Sequence, residues 1–215
     1  MGDSNMCAHY QAPTIKSVIE GFLGGIKDTE IGTLNKAVTD VWPGKIAPFK
    51  TNVGAGKWEQ GCFGIMPHWA KPNLFRSTYN ARTETVAVKP SFRGAWSNRR
   101  LCVVPVKEFY EPCYESGRAQ TWAIKHRDLE VFMLAGLWET FKDAFGDTIS
   151  SFTLLTIAAD GHKIMGRMHG PTDEKRSVVV IPQNKVDEWL GAKTESDVIS
   201  HLALFEADAF SATPI

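Results

Sequence analysis

Leu101-Cys-Val-Val-Pro105 and, after a three-residue break, Phe109-Tyr-Glu-Pro-Cys-Tyr114 are apolar runs too short for buried helices and interrupted by proline. They read as consecutive β-strands. The same punctuation recurs on both sides. Residues 58–65 and 83–88 precede this pair, and residues 121–125, 131–138 and 152–157 follow it, the runs broken by glycine, proline or polar turn residues. So many short strands close most naturally into a curved, mostly antiparallel sheet or open barrel. Helical spacing marks the ends of the chain. Ile15, Val18, Ile19 and Phe22 predict a helix over residues 14–23, ended by Gly24-Gly25. Residues 160–166, 183–190 and 194–204 read as helices with a strand at 177–181 between them, and residues 89–97 as a helical turn opened by Pro90. The expected architecture is α+β, a sheet or open-barrel core flanked by helices. It occupies one domain over residues 7–215, preceded by an extension, residues 1–6, that is absent from or removed in the active form.

A chain of 215 residues that is 43% hydrophobic suits one globular domain with a sizeable core. Twenty-four Lys plus Arg balance twenty-four Asp plus Glu, which excludes a global basic coat, so any polyanion site must be local. Cys7, Cys62, Cys102 and Cys113 include no CxxC pair and follow no secretory leader, so a reducing cytoplasm is expected, with neither a disulfide framework nor zinc. No HExxH spacing occurs, and no metal or cofactor is expected. The longest strongly apolar run, residues 131–138, is too short to span a bilayer.

Charge is concentrated in one place. Between residues 71 and 100, Lys71, Arg76, Arg82, Lys89, Arg93, Arg99 and Arg100 face a single acid, Glu84, a net of +6 that the rest of the chain balances with −6. Trp69, Phe75, Tyr79, Phe92 and Trp96 are interleaved with them or stand just before. Cations for phosphates and ring faces for bases are what single-stranded nucleic acid binding uses, although a solvated face over a core of aromatics gives the same pattern.

Three further groups carry chemistry. Asn80-Ala-Arg82-Thr-Glu84 on a strand would aim an amide, a guanidinium and a carboxylate at one face, suited to a sugar phosphate. Glu111 lies in an apolar run where burial would raise its pKa and fit it for proton delivery near neutral pH. His169, in Gly166-Arg-Met-His169-Gly-Pro171, stands in a turn that can present it to a cleft. Met6-Cys7 adds a fourth. With residues 1–6 gone, Cys7 would become a 1,2-aminothiol, whose amine and thiol together can close a ring on an aldehyde.

Met6-Cys7, Asn80-Ala-Arg82-Thr-Glu84, Ser91-Phe-Arg93, Arg99-Arg100 leading to Val103-Val-Pro105, Phe109-Tyr-Glu111, Ala135-Gly-Leu-Trp-Glu139 and His169 before Lys175-Arg176 resemble, in order and spacing over about residues 6–190, the SOS response-associated peptidase family. The resemblance implies one α+β domain with a cleft for single-stranded DNA carrying an abasic site, and a thiazolidine crosslink made by the terminal cysteine. It makes Cys7 the nucleophile, Asn80 the group that positions the terminal amine or the sugar, Glu111 the acid and base, and His169 its assistant in proton transfer. Arg82 would hold phosphate, with Trp69 as a stacking platform and His9, Arg76, Arg93 and Arg99 as further DNA contacts. Release of Cys7 by autoproteolysis would account for the peptidase label. A thiol peptidase or N-terminal-nucleophile hydrolase, and a noncovalent single-stranded DNA-binding module, are the alternatives. A cytoplasmic monomer, associated with the nucleoid when bound to DNA, is the expected form.

Overall fold

The computed structural model describes residues 8–14, 38–54 and 56–215. Cys7, residues 1–6 and all but the first residue of the helix expected over 14–23 lie outside the described residues. In chain order the strands are β1 (His9–Gln11), β2 (Asp40–Val41), β3 (Ile46–Thr51), β4 (Lys57–Phe63), β5 (Asn80–Arg82), β6 (Leu101–Val106), β7 (Glu108–Cys113), β8 (Gln120–His126), β9 (Phe132–Lys142), β10 (Thr148–Ala158), β11 (Arg176–Val178), β12 (Val180–Ile181) and β13 (Phe210–Pro214). The α-helices are α1 (Arg93–Ser97), α2 (Val186–Gly191) and α3 (Glu195–Ser200).

Five strands close on themselves. β3 pairs with β4, β4 with β10, β10 with β9, β9 with β6 and β6 with β3, all antiparallel except the β4–β10 rung. A barrel this narrow brings backbones together. At Gly136 of β9 a Cβ would stand 2.5 Å from the Thr153 carbonyl oxygen of β10 and 2.9 Å from Cys102 Sγ of β6, so glycine alone fits. β10 outgrows the barrel: Leu154–Thr156 take β5 in parallel and Thr156–Ala158 take β11 antiparallel, while β12 extends β9. A second, wholly antiparallel sheet runs β13-β8-β7-β1-β2.

The barrel wall is buried on both faces. Along β6, Leu101 and Val103 pack with Trp96, Trp189 and Val198 of the helices, whereas Cys102, Val104 and Val106 pack with Phe109, Ile124 and Phe210 of the second sheet. β9 splits the same way, Met133 and Ala135 to the helices, Phe132 and Leu134 to the sheet. Two apolar cores served by successive residues of one strand explain why 101–106 and 132–137 read as continuous apolar runs.

Two expectations are corrected. Residues 83–88 form turns, not a strand: Thr83 donates one last ladder bond to Thr156, then the Thr85 amide turns back to the Arg82 carbonyl. Val86 is buried in the helix-side core and Glu84 binds Arg176, contacts a straight strand would not make together. Residues 160–166 hold only turns and the start of a 3-10 turn, Met165–Arg167, which the His162 ring caps by accepting the Ile164 and Met165 amides at Nδ1. Strands β1, β2, β3 and β13 were not expected from sequence. Pro48 and Lys50 break the apolar reading of β3, and the other three are too short or too polar to carry a signal.

Candidate functional site

Along β7 alternate side chains turn inward, so Phe109, Glu111 and Cys113 are buried while Glu108 and Tyr110 are half-exposed. Glu111 is therefore a carboxylate on a core-facing strand position. It meets His169: Nε2 lies 3.0 Å from Glu111 Oε2, and both side chains are 1% exposed. At that distance the two groups share a proton, whichever of them carries it. His169 Nδ1 is buried and has no hydrogen-bond partner among the described residues.

The histidine is held in place by its own turn. Its φ of 65° is left-handed, an unfavourable conformation for a residue with a side chain, so neighbouring contacts must impose it. The His169 amide donates to the Pro112 carbonyl at 2.6 Å, and Cys113 bridges to Met168 and His169. Lys175 Nζ donates to three successive carbonyls, of Met168, His169 and Gly170, while Asp173 accepts the Gly170 amide. Arg167 grips Glu115 with two bonds of 2.7 Å and lies 4.8 Å from the centre of the Trp122 ring. That guanidinium holds the Glu115 carboxyl below its ordinary value.

The same segment reaches the barrel. Glu174 accepts from Arg82 Nη1 at 2.7 Å and from Arg176 Nη1 at 2.5 Å, and Arg176, fully buried, also binds both oxygens of Glu84 and the Thr156 carbonyl. Burial works to raise the Glu84 pKa, but its bonds to Arg176 and to backbone amides together more than offset this and leave the carboxyl below its ordinary value. Asn80 and Arg82 share one face of β5 with Ala81 buried behind them, as alternation requires, while Glu84 joins through Arg176 from the turn beyond. Residues 167–176 thus staple Glu111 of the second sheet to Arg82 of β5, beside the barrel.

The remaining expected contacts are dispersed. His9 stacks on Trp42, at 4.0 Å and 15°, meets the Tyr110 ring tilted by 31° at 4.2 Å, and lies 2.5 Å from Asp40. This bond holds the Asp40 carboxyl below its ordinary value. By alternation His9 and Tyr110 occupy the face of the sheet opposite Glu111. Trp69, Arg76 and Arg93 are exposed, whereas Arg99 is half-buried and donates to the Trp96 carbonyl at the end of α1. No described contact joins these four to the Glu111–His169 pair.

Sequence reasoning had not singled out Glu174, Lys175, Arg167 or Glu115 as parts of the site. The Glu174–Arg82 and Arg167–Glu115 pairs span 92 and 52 residues, so nothing local marks them, and Lys175 acts on backbone carbonyls of the turn just before it, which carry no residue signature. Among the described residues no three His, Cys, Asp or Glu side chains are grouped to hold a metal ion, and no helix is long and apolar enough to cross a membrane.

The described thiols are poor nucleophiles. Burial pushes Cys62 up to about 11 and Cys102 well above its ordinary value, and Cys113 is also buried. With Cys7→Ser, native protein at pH 7.5 should release less than about 0.2 equivalents from Ellman's reagent in an hour, and all three remaining thiols should react in guanidinium.

The sequence profile of the family described as SOS response associated peptidase (SRAP) matches residues 6–215. The chain is 31% identical over 154 residues to "Abasic site processing protein YobE" of Bacillus subtilis, covering 70% of this chain and 67% of that protein. It is 30% identical over 154 residues to YoaM of the same organism, which bears the same description, again covering 70% of this chain but 64% of that protein. A crystal structure of a Bordetella bronchiseptica protein superimposes with a TM-score of 0.84 at 28% identity, covering 97% of this chain and 99% of the other. One from Bacteroides thetaiotaomicron, at 21% identity and a TM-score of 0.80, covers 97% and 92% and shares the fold.

Proposed function

This chain belongs to the SOS response associated peptidase (SRAP) family, and on that premise we propose that it captures abasic sites in single-stranded DNA by forming a thiazolidine through Cys7. The observation that carries the reading is the buried Glu111–His169 pair. It is a proton store on the strand that pairs with the strand following Cys7. His9 stands opposite Tyr110 in that pairing, and Cys7 precedes His9 by two residues in the sequence. Two further facts support it: the family match begins at Met6, and relatives are named for abasic site processing.

The step balances without oxidant or cofactor. The α-amine of Cys7 adds to C1 of the ring-opened sugar, and the carbinolamine loses water to give an imine. The thiol then adds across the C=N bond, forming S–C1 while the nitrogen takes a proton. Glu111 and His169 supply the proton that opens the furanose and the one that departs with water. Arg82 holds a flanking phosphate and Asn80 orients the amine or the sugar. The amine must be free, so the active chain begins at Cys7, by initiation at Met6 with removal of that methionine or by cleavage after it. The same proton shuttle would serve such a cleavage.

The test is an oligonucleotide with one uracil, treated with uracil glycosylase and incubated with protein whose mass places Cys7 first. A slower band on a denaturing gel, with the adduct mass equal to the sum of the reactants less one water, is expected. Cys7→Ser keeps an amine able to form only a hydrolysable imine and should leave no band. Absence of the band with the wild type, or its persistence with Cys7→Ser, overturns the reading.

A further inference from the structure

The Arg82 guanidinium is not free to meet a phosphate, because a carboxylate already sits on it. Arg82 and Glu174 are 40% and 44% exposed, so their 2.7 Å contact is an accessible ion pair that an incoming anion can exchange. Geometry makes the exchange cheap. Glu174 uses separate oxygens for its two partners, Oε2 for Arg82 and Oε1 for Arg176. It can leave Arg82 and keep Arg176. Even were both bonds lost, buried Arg176 would retain both Glu84 oxygens and the Thr156 carbonyl, so no buried charge would be stranded.

We propose that Glu174 sets the affinity of the phosphate subsite by occupying Arg82 until a DNA phosphodiester displaces it. The proposal rests on Arg82 contacting DNA, as set out above. The carboxylate matches a phosphodiester in charge, and it offers Arg82 one anionic oxygen where a phosphodiester can offer two. It differs in being tethered, so it competes at every DNA concentration and its residual charge repels the phosphate that replaces it. Binding is thereby weakened for any strand that offers only isolated phosphate contacts. Strands held additionally at the aldehyde by the covalent step are retained. Glu174 is thus a specificity-determining residue acting through Arg82.

Fluorescence anisotropy with a labelled thymidine oligonucleotide, from 50 to 300 mM salt, tests this on wild type, Glu174→Gln, Arg82→Gln and the double variant. Glutamine can still accept from Arg176, so the fold is kept. Glu174→Gln should bind about two- to fivefold tighter at 50 mM salt, the range an exposed ion pair is worth. Its log–log salt slope should steepen by up to about 0.7. In the Arg82→Gln background the same substitution should change affinity little. Equal tightening in both backgrounds would mean a general charge effect, and no tightening in either would mean an idle pair; each overturns the proposal alone. If no variant binds the oligonucleotide, the assignment of Arg82 to DNA falls and this inference falls with it.

Discussion

Glu111→Gln is expected to bind single-stranded DNA within about twofold of wild type and to form the covalent adduct about a hundred- to ten-thousandfold more slowly, the span that general acid–base groups contribute. Glutamine has the shape of glutamate and can still hydrogen-bond His169 Nε2, so the buried contact at 3.0 Å survives in form. What disappears is a group that can give up and retrieve a proton. Ring opening and loss of water from the carbinolamine both need that transfer, whereas docking of the strand does not. Initial rates of band formation on denaturing gels, set against anisotropy affinities for the same oligonucleotide, separate the two effects. A rate reduced less than about tenfold would place the proton elsewhere and leave Glu111 a structural partner of the histidine.

Trp189→Ala should destabilise the fold by about 3–5 kcal/mol, the usual cost of deleting a fully buried tryptophan. The Trp189 side chain is 0% exposed, lies in the helix-side core, and its indole Nε1 donates to the Cys102 carbonyl of β6 at 2.9 Å. Truncation would open a cavity between α2 and the barrel wall and remove that donor at the same time. For a chain of this length such a loss lowers Tm by on the order of 10 °C. Calorimetry or thermal circular dichroism reads the shift, and a change under about 3 °C would mean that the core closes over the gap. The site lies on the other side of the barrel wall, so adduct formation well below the new Tm should be nearly unchanged.

The core was legible where burial is complete on both faces. The runs at 101–105 and 131–138 became β6 and β9, where two apolar cores leave no polar residue to interrupt them, while those at 109–114, 121–125 and 152–157 became β7, β8 and β10 and were legible from their aromatic and β-branched residues although polar residues interrupt them. Legibility failed where a contact distant in sequence overrode local propensity. Residues 83–88 are rich in β-branched side chains (Thr83, Thr85, Val86 and Val88), yet the pull of Arg176 on Glu84 and of the helix-side core on Val86 bends them into turns. Pro48 hid β3, whose place in the barrel is set by β4 and β6 on either side.

Residue types alone determined a sheet-rich α+β fold, and the motifs determined membership of the family and the candidates Cys7, Asn80, Arg82, Glu111 and His169. Those are properties of periodicity and order, which a linear string carries. Only the tertiary structure decided that Glu111 faces inward to His169, that Glu174 already occupies Arg82, and that Arg167 and Lys175 hold the histidine's turn in its left-handed conformation. These are pairings across 52 to 92 residues, apart from the Lys175 clasp. Charge complementarity permits each of them with many partners, and the closure of the strands around the barrel selects one.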